Sequence, residues 1–330
     1  MKKVLVNKPI HQDALDRLAQ EVEVLTPFKE PADKVLAMLP EVQGIVLCVG
    51  IKVTQETLEN APALEVIGRH GAGLEIVDLD AATRKGIPVV FTPEGPTEST
   101  AEHALMLLMA AARKLSYLDR ATRNGMFHVR DEVVGVELLN KKVGVVGFGH
   151  IGKRFAEMCR AAFQMQVHAF DPFVDRRPVE EWGAIYHNDL VEMAQAVDFI
   201  SLHCPATPAT THMVNETVLN ALGPDSFLIN CSRGPVVDEA ALIAALKENR
   251  IAGAGLDVFE TEPPAPDSPF FQMGNVVLTP HLASFTEEGR QRMGMMVAED
   301  VLRVLRGEQP LYPANPDVFQ NTYQKVNGSK

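Results

Sequence analysis

Cysteine is scarce in this chain: 4 in 330 residues, at Cys48, Cys159, Cys204 and Cys231. None forms a C-x-x-C pair, which argues against a disulfide scaffold and leaves each as a small buried residue in a reducing compartment. Positive charge is also short, with 31 Lys and Arg against 43 Asp and Glu and a net charge of −12. That balance speaks against nucleic acid or an anionic membrane as partner, and any anionic ligand needs a local positive site. No apolar run reaches membrane-spanning length. The start, Met1-Lys2-Lys3, turns polar again by Asn7 and Lys8 and lacks the apolar region of a signal peptide. The cytoplasm is the expected compartment. There is no internal repeat and no low-complexity segment. His203, His212 and Cys204 fit no zinc spacing, so no metal is expected.

What the chain does have is alternation. Its length suggests two domains. Short apolar runs alternate with amphipathic stretches, the pattern of βαβ units and parallel sheets. In the first third, strands are expected at Val4–Val6, Val22–Leu25, Gly44–Val49, Leu64–Gly68 and Val89–Phe91, with helices at His11–Gln20 and Ala32–Met38. Ser99-Thr100-Ala101-Glu102 reads as a capping box ahead of Ala104–Ala112, a run apolar all round that suits a helix buried between domains or subunits. The methionines Met106, Met109, Met293, Met295 and Met296 read as core. Strands follow at Val143–Val146, Val167–Phe170, Phe199–His203, Phe227–Asn230, Ala254–Val258 and Val276–Leu278, and Asp238 caps a helix at Glu239–Glu248. Ser284-Phe285-Thr286-Glu287 reads as a second capping box before a long helix to about Arg306, which returns to the first domain. The end, Asn327–Lys330, is expected to fray.

The stretch Lys142–Gly152 organises the rest. A β-branched run leads into Gly147, Gly149 and Gly152 in G-x-G-x-x-G spacing, and a helical pattern follows. Such glycines make a tight turn, admit a pyrophosphate and let helix pack on strand, while the helix N-terminus attracts phosphate. Asp171 ends the next strand, about twenty residues on, where a carboxylate accepts from an adenosine ribose and repels a 2′-phosphate. NAD is therefore favoured over NADP, with Arg176 and Arg177 as a counter-signal. In such a fold ligands lie beyond the carboxyl ends of strands. The polar residues there are Arg69, His70, Asp171, His203, Arg233, Asp257 and His281, with Glu262 in a proline-stiffened loop. Arg233 can grip a carboxylate and His281 can exchange a proton near neutrality, with Glu262 as the carboxylate to orient it. A structural ion pair for Arg233, and a turn role for His70, stay open at this point.

The longer motifs add a resemblance. Val145–Gly152, Leu228–Asp238, Gly255–Pro263 and Leu278–His281 resemble, in order, the cofactor, arginine, glutamate and histidine segments of the D-isomer-specific 2-hydroxyacid dehydrogenases. The resemblance implies an α/β protein of two doubly wound parallel-sheet domains around a cleft. A discontinuous flavodoxin-like substrate domain would take residues 1–98 and 286–330, and a Rossmann NAD domain 99–285. It implies hydride transfer between NAD and C2 of a small anionic D-2-hydroxy or 2-oxo acid, glyoxylate or hydroxypyruvate favoured. It places substrate-gripping on Arg233, proton donation on His281 and support on Glu262, a nicotinamide contact on Asp257, and backbone contacts to substrate on Ala72 and Gly73. Cofactor contacts are expected at Thr100, Gly147, Gly149, His150, Ile151, Gly152, Asp171, His203, Cys204, Pro205, Cys231, Ser232 and Ser284. The chain departs from the family at Glu75-Ile76, where Asp-Asn is usual, and has no arginine in Leu47–Lys52, where phosphoglycerate dehydrogenases commonly carry one. Lys52 or Arg69 could stand in. Phosphoglycerate oxidation is therefore the second reading, and an NAD(H)-sensing corepressor a third of another class. The all-apolar helix after Ser99 suggests a homodimer.

Overall fold

The computed structural model describes residues 1–319; the expected fraying at Asn327–Lys330 lies outside them. The chain divides into two compact units, residues 1–96 with 285–330, and residues 97–284. The first unit runs β1 (Lys3–Val6), α1 (Gln12–Ala19), β2 (Glu23–Leu25), α2 (Ala32–Leu36), β3 (Gly44–Leu47), α3 (Gln55–Glu59), β4 (Val66–Arg69), α4 (Leu79–Arg84) and β5 (Val89–Phe91). Its strands pair in parallel in the order β2-β1-β3-β4-β5. This is the doubly wound order in which crossover helices cover both faces. Hence Val4-Leu5-Val6 and Ile45-Val46-Leu47 are continuous buried runs, without the alternation of a half-exposed strand.

The second unit begins with α5 (Thr97–Ala112) and α6 (Leu115–Arg123). Then come β6 (Lys142–Val146), α7 (His150–Phe163), β7 (Gln166–Phe170), α8 (Arg176–Trp182), β8 (Ile185–Tyr186), α9 (Leu190–Ala196) and β9 (Phe199–Leu202). It closes with α10 (Glu216–Ala221), β10 (Phe227–Asn230), α11 (Glu239–Lys247), β11 (Gly253–Leu256) and β12 (Val276–Leu278). The sheet order is β12-β11-β10-β9-β6-β7-β8, all parallel, so the strand order reverses between β6 and β9. That reversal point is where such sheets bind ligands. α5 and α7 pack together on one face, and α9, α10 and α11 close the other.

The chain then returns to the first unit as α12 (Glu287–Leu305), which packs on α1 and β4. A Cβ on Gly68 of β4 would lie 2.6 Å from Val301 and 2.7 Å from Val297, so only glycine lets α12 lie this close. Beyond α12, the chain crosses back to β5, where the Phe91 N–H donates to Tyr312 O at 3.2 Å. Asp300 secures that return: its carboxylate is buried and accepts from the N–H groups of Leu311 and Tyr312, both at 2.8 Å.

Several expectations need correction. Both capping boxes are displaced. α5 starts two residues before Ser99, which is buried within its first turn, and α12 is capped by Thr286, whose Oγ1 accepts from Gly289 N at 2.9 Å. α5 is not covered all round: Met106 and Met109 are 44% and 43% exposed, so they are surface and not core. Cys204 is half-buried, unlike the other cysteines. The short helices α3, α4, α6, α8, α9 and α10 were not anticipated, because five to nine residues carry too few turns for a 3.6 period to stand out. The two-residue strand β8 was missed for the same want of pattern.

Replacing Asp300 by Ala leaves the Leu311 and Tyr312 amides without their acceptor. The expected loss is about 2–3 kcal/mol of unfolding free energy, read from the denaturant midpoint. Asp300→Asn keeps one acceptor and should lose about half as much.

Candidate active site

The turn after β6 is built by close backbone approaches. Gly147 has φ +90°, and a Cβ there would stand 2.8 Å from the carbonyl carbon of His203. A Cβ on Gly152 would meet Gly147 O at 2.0 Å, so helix and strand could not pack this way with any side chain. Gly149 is the N-cap of α7 and offers no side-chain cap. Nothing lies within 4 Å of where its Cβ would be. The first-turn N–H groups of α7, including those of His150 and Ile151, therefore face open space beside a bare glycine, the cradle a pyrophosphate fits. Asp171 completes it from the end of β7: Oδ2 accepts from Phe148 N at 2.8 Å and Oδ1 from Phe173 N at 2.9 Å. The carboxylate thus fixes the glycine turn while sitting at the ribose position of this fold. Arg176 and Arg177 are held by Glu180 and Glu181 on their own helix, each pair at 2.7 Å.

The strands β10, β11 and β12 are neighbours, and each leads into a loop that carries candidate polar residues. After β10, the buried Asn230 folds over its own loop. Its Oδ1 accepts from Ser232 N at 2.9 Å and Ser232 Oγ at 2.8 Å, and its Nδ2 donates to Arg233 O at 3.0 Å. Arg233 donates to Ser232 O at 2.7 Å. After β11, Asp257 is wholly buried. Its Oδ1 accepts from Thr279 Oγ1 at 2.6 Å and Leu282 N at 3.0 Å, and its Oδ2 from Ala283 N at 2.9 Å. His103 Nε2 stands 3.0 Å from Thr279 Oγ1. Burial pushes the Asp257 carboxyl up, but bonds from His103, Thr279, Leu282 and Ala283 outweigh it and hold it below its ordinary value.

These bonds wrap the β12 exit around Asp257 and present His281. Its N–H donates to Asp257 O at 2.7 Å and its φ is +52°, a left-handed conformation uncommon for a residue with a Cβ. The imidazole Nδ1 lies 2.6 Å from Glu262 Oε2, and Glu262 Oε1 accepts from Phe259 N at 3.1 Å. Burial raises the Glu262 carboxyl, while the His281 bond and charge, Phe259 N and the Arg233 charge lower it further, leaving it below the usual carboxylate range. With Nδ1 engaged by Glu262, Nε2 is the nitrogen left to exchange a proton. Beside the pair opens a cavity of about 360 Å³, walled by Phe259, Pro263, Pro264, Phe271 and Leu278.

The remaining candidates are not partners in these bonds. The His203 ring turns into the interior, 2.9 Å from Ser201 Oγ and 5.0 Å from the Phe155 ring centroid. Burial pushes it down to about 3, so it is neutral; its backbone, not its imidazole, borders the glycine turn. The Cys204 thiol is pushed up to about 11 by burial, and Cys231 also lies well above its ordinary value. Neither is a nucleophile at neutral pH. Pro205 is exposed, Thr100 buried in α5, and Ser284 half-buried at the end of the unit. Ala72 and Gly73 belong to the first unit, in the loop after β4. There Arg69 Nε donates to Gly73 O at 2.8 Å, and its guanidinium also serves the carbonyls of Leu47 and His70. His70 is pushed down to about 4 by burial and the Arg69 charge. Sequence reasoning missed Asn230, Thr279 and His103. The first two sit inside motifs already noted, whereas nothing local marks His103. Among the described residues no group of three or more His, Cys, Asp or Glu is arranged to hold a metal, and no helix is long and apolar enough to cross a membrane.

Residues 105–283 match the NAD binding domain of the D-isomer specific 2-hydroxyacid dehydrogenases, and the chain belongs to that family. It is 39% identical over 92% of its length to D-3-phosphoglycerate dehydrogenase of Archaeoglobus fulgidus, of which it spans 58%. It is 37% identical to glyoxylate reductase of Pyrococcus furiosus, covering 96% of each chain. A solved NADPH-dependent glyoxylate/hydroxypyruvate reductase from Sinorhizobium meliloti superposes with TM-score 0.84 at 34% identity, over 96% of this chain and 99% of that one. The cofactor of this fold is a nicotinamide dinucleotide. The chain spans just over half the length of the phosphoglycerate dehydrogenases it matches.

Asp171→Ala should weaken NADH binding by about tenfold or more while NADPH binding weakens less, measured by fluorescence titration. Equal losses would mean that the carboxylate serves only the turn.

Proposed function

We propose that the protein is an NAD-dependent oxidoreductase that interconverts a small 2-oxo acid and its D-2-hydroxy acid. The observation that carries this reading is the His281–Glu262 pair at 2.6 Å, on a strand end next but one to that of Arg233. The glycine turn, the α7 N-terminus and Asp171 would hold the dinucleotide, with Thr100, His150, Ile151, Cys204, Pro205, Cys231, Ser232 and Ser284 as further candidate contacts. When bound, the reduced nicotinamide supplies hydride to C2 of the oxo acid. Arg233 grips the substrate carboxylate and draws electron density from the neighbouring carbonyl. His281 Nε2 gives its proton to the oxygen on C2 as negative charge grows there, and takes one back in the oxidative direction. Glu262 fixes the tautomer and favours the imidazolium. Asp257 shapes the loop that carries His281, in addition to the nicotinamide contact the family resemblance assigns it. The amides of Ala72 and Gly73 remain the candidate carboxylate donors of the first unit.

Glyoxylate or hydroxypyruvate is the favoured substrate. Arg69 already serves three carbonyls of its own neighbourhood, which disfavours it as a phosphate ligand. The exposed Met106 and Met109 on α5, with Leu115 at 57% on α6, support a homodimer built on that face, to be read by light scattering. The reading places the protein in the cytoplasm.

The test is steady-state turnover of a panel of 2-oxo acids, with 3-phosphoglycerate in the oxidative direction. Preferred oxidation of 3-phosphoglycerate would move the substrate to the second reading. Dinucleotide binding with no turnover of any substrate would favour a sensor. His281→Ala should lower turnover by about 10²–10⁴-fold and leave NADH affinity within about twofold. Reduction consumes a proton, so it should slow as pH rises, and oxidation should speed up. Glu262, held below the ordinary carboxylate range, is ionised at neutral pH.

A further inference from the structure

The glutamate loop carries a second imidazole–carboxylate pair. His212 Nε2 stands 2.7 Å from Glu260 Oε1, two residues before Glu262. The same Glu260 oxygen accepts from the N–H of Glu239, the first residue of α11, at 3.1 Å. Glu239 answers: its Oε1 accepts from Glu260 N at 2.6 Å. These crossed bonds join the segment leading from Arg233 into α11 to the loop leading into Glu262. The two backbones touch just there. A Cβ on Gly234 would fall 1.9 Å from Phe259 C and O and 2.4 Å from Glu260 N. His212 ties in a third strand of chain, because its own N–H donates to Pro235 O at 2.8 Å and Val214 bridges Val237.

We propose that Glu239, Glu260 and His212 are positioning residues that hold the arginine-bearing and glutamate-bearing loops in register. They thereby fix where Arg233 stands relative to the Glu262–His281 pair. The proposal rests on the oxidoreductase reading above. Touching backbones set how near the loops can come but not how they slide. Two opposed side-chain-to-backbone bonds remove that freedom, since sliding lengthens both. The placement matters because a displacement of about 1 Å between a carboxylate grip and a proton donor can cost about 10²-fold in rate. Burial, and the charges of Glu260 and Glu262, raise the Glu239 carboxyl, so the three carboxylates sense one another.

The test uses the full chain with NADH and the best 2-oxo acid of the panel. Glu239→Ala removes one half of the clasp. KM for the oxo acid should rise about tenfold and kcat fall, while NADH affinity stays within about twofold. Glu239→Gln keeps the acceptor oxygen and loses the charge. It should restore KM to within about twofold of the wild type. Wild-type KM in Glu239→Ala would overturn the proposal. So would failure of Gln to improve on Ala, or a matching fall in NADH affinity. If the wild-type chain turns over no 2-oxo acid, the oxidoreductase reading fails separately. The clasp is then read by hydrogen exchange of the Glu260 amide, which should speed up in Glu239→Ala and not in Glu239→Gln; an unchanged rate in Glu239→Ala overturns it.

Discussion

A buried carboxylate shapes the candidate site. Asp257 has no exposure to solvent, and its oxygens accept from Thr279, Leu282 and Ala283. An ionised group so placed is costly unless its acceptor sites are filled. Filling them bends the exit of β12 around Asp257, and the bend puts His281 in a left-handed conformation facing Glu262. The strain at one residue is thus met by bonds at its neighbours. Asn230 does comparable work one strand away, where a single amide satisfies Ser232 and holds the Arg233 carbonyl.

The parallel sheet supplies the rest of the geometry. Because β10, β11 and β12 are adjacent and point the same way, three loops far apart in sequence leave the sheet side by side. The glycine turn lies on β6, next to the point where strand order reverses, with β9 between it and β10. The glycine turn and the His281–Glu262 pair are therefore placed by the order of strands, and the side chains need only be chosen at their ends. Each unit covers both faces of its sheet with helices, so the strands carry unbroken apolar runs and polar chemistry is confined to the loops.

Much of this was legible in the sequence. The strands stood out because buried parallel strands are short, continuous and apolar, as at Phe199–Leu202 and Val143–Val146. The glycine turn was legible because Gly147 and Gly152 are demanded by backbone contacts and not by local propensity. The His281–Glu262 grouping followed from motif order, since no local pattern relates residues nineteen apart. What escaped was of two kinds. Helix starts moved, at Thr97 and Thr286, because a Ser-x-x-Glu string marks a possible cap and tertiary packing decides whether it is used. Side-chain direction also escaped. His203 stands at a strand end beside the cofactor turn, yet its ring points into the core against Phe155. Met106 and Met109 lie in an apolar run, yet remain exposed.

In the proposed reaction one guanidinium and one imidazole act on the same small acid. The most direct measurement is a crystal structure of the chain with NAD and oxamate, an unreactive 2-oxo acid analogue. The oxamate carboxylate is expected on the Arg233 guanidinium, with its C2 oxygen within hydrogen-bond distance of His281 Nε2. Oxamate bound away from both groups, with His281 Nε2 facing only solvent, would contradict it.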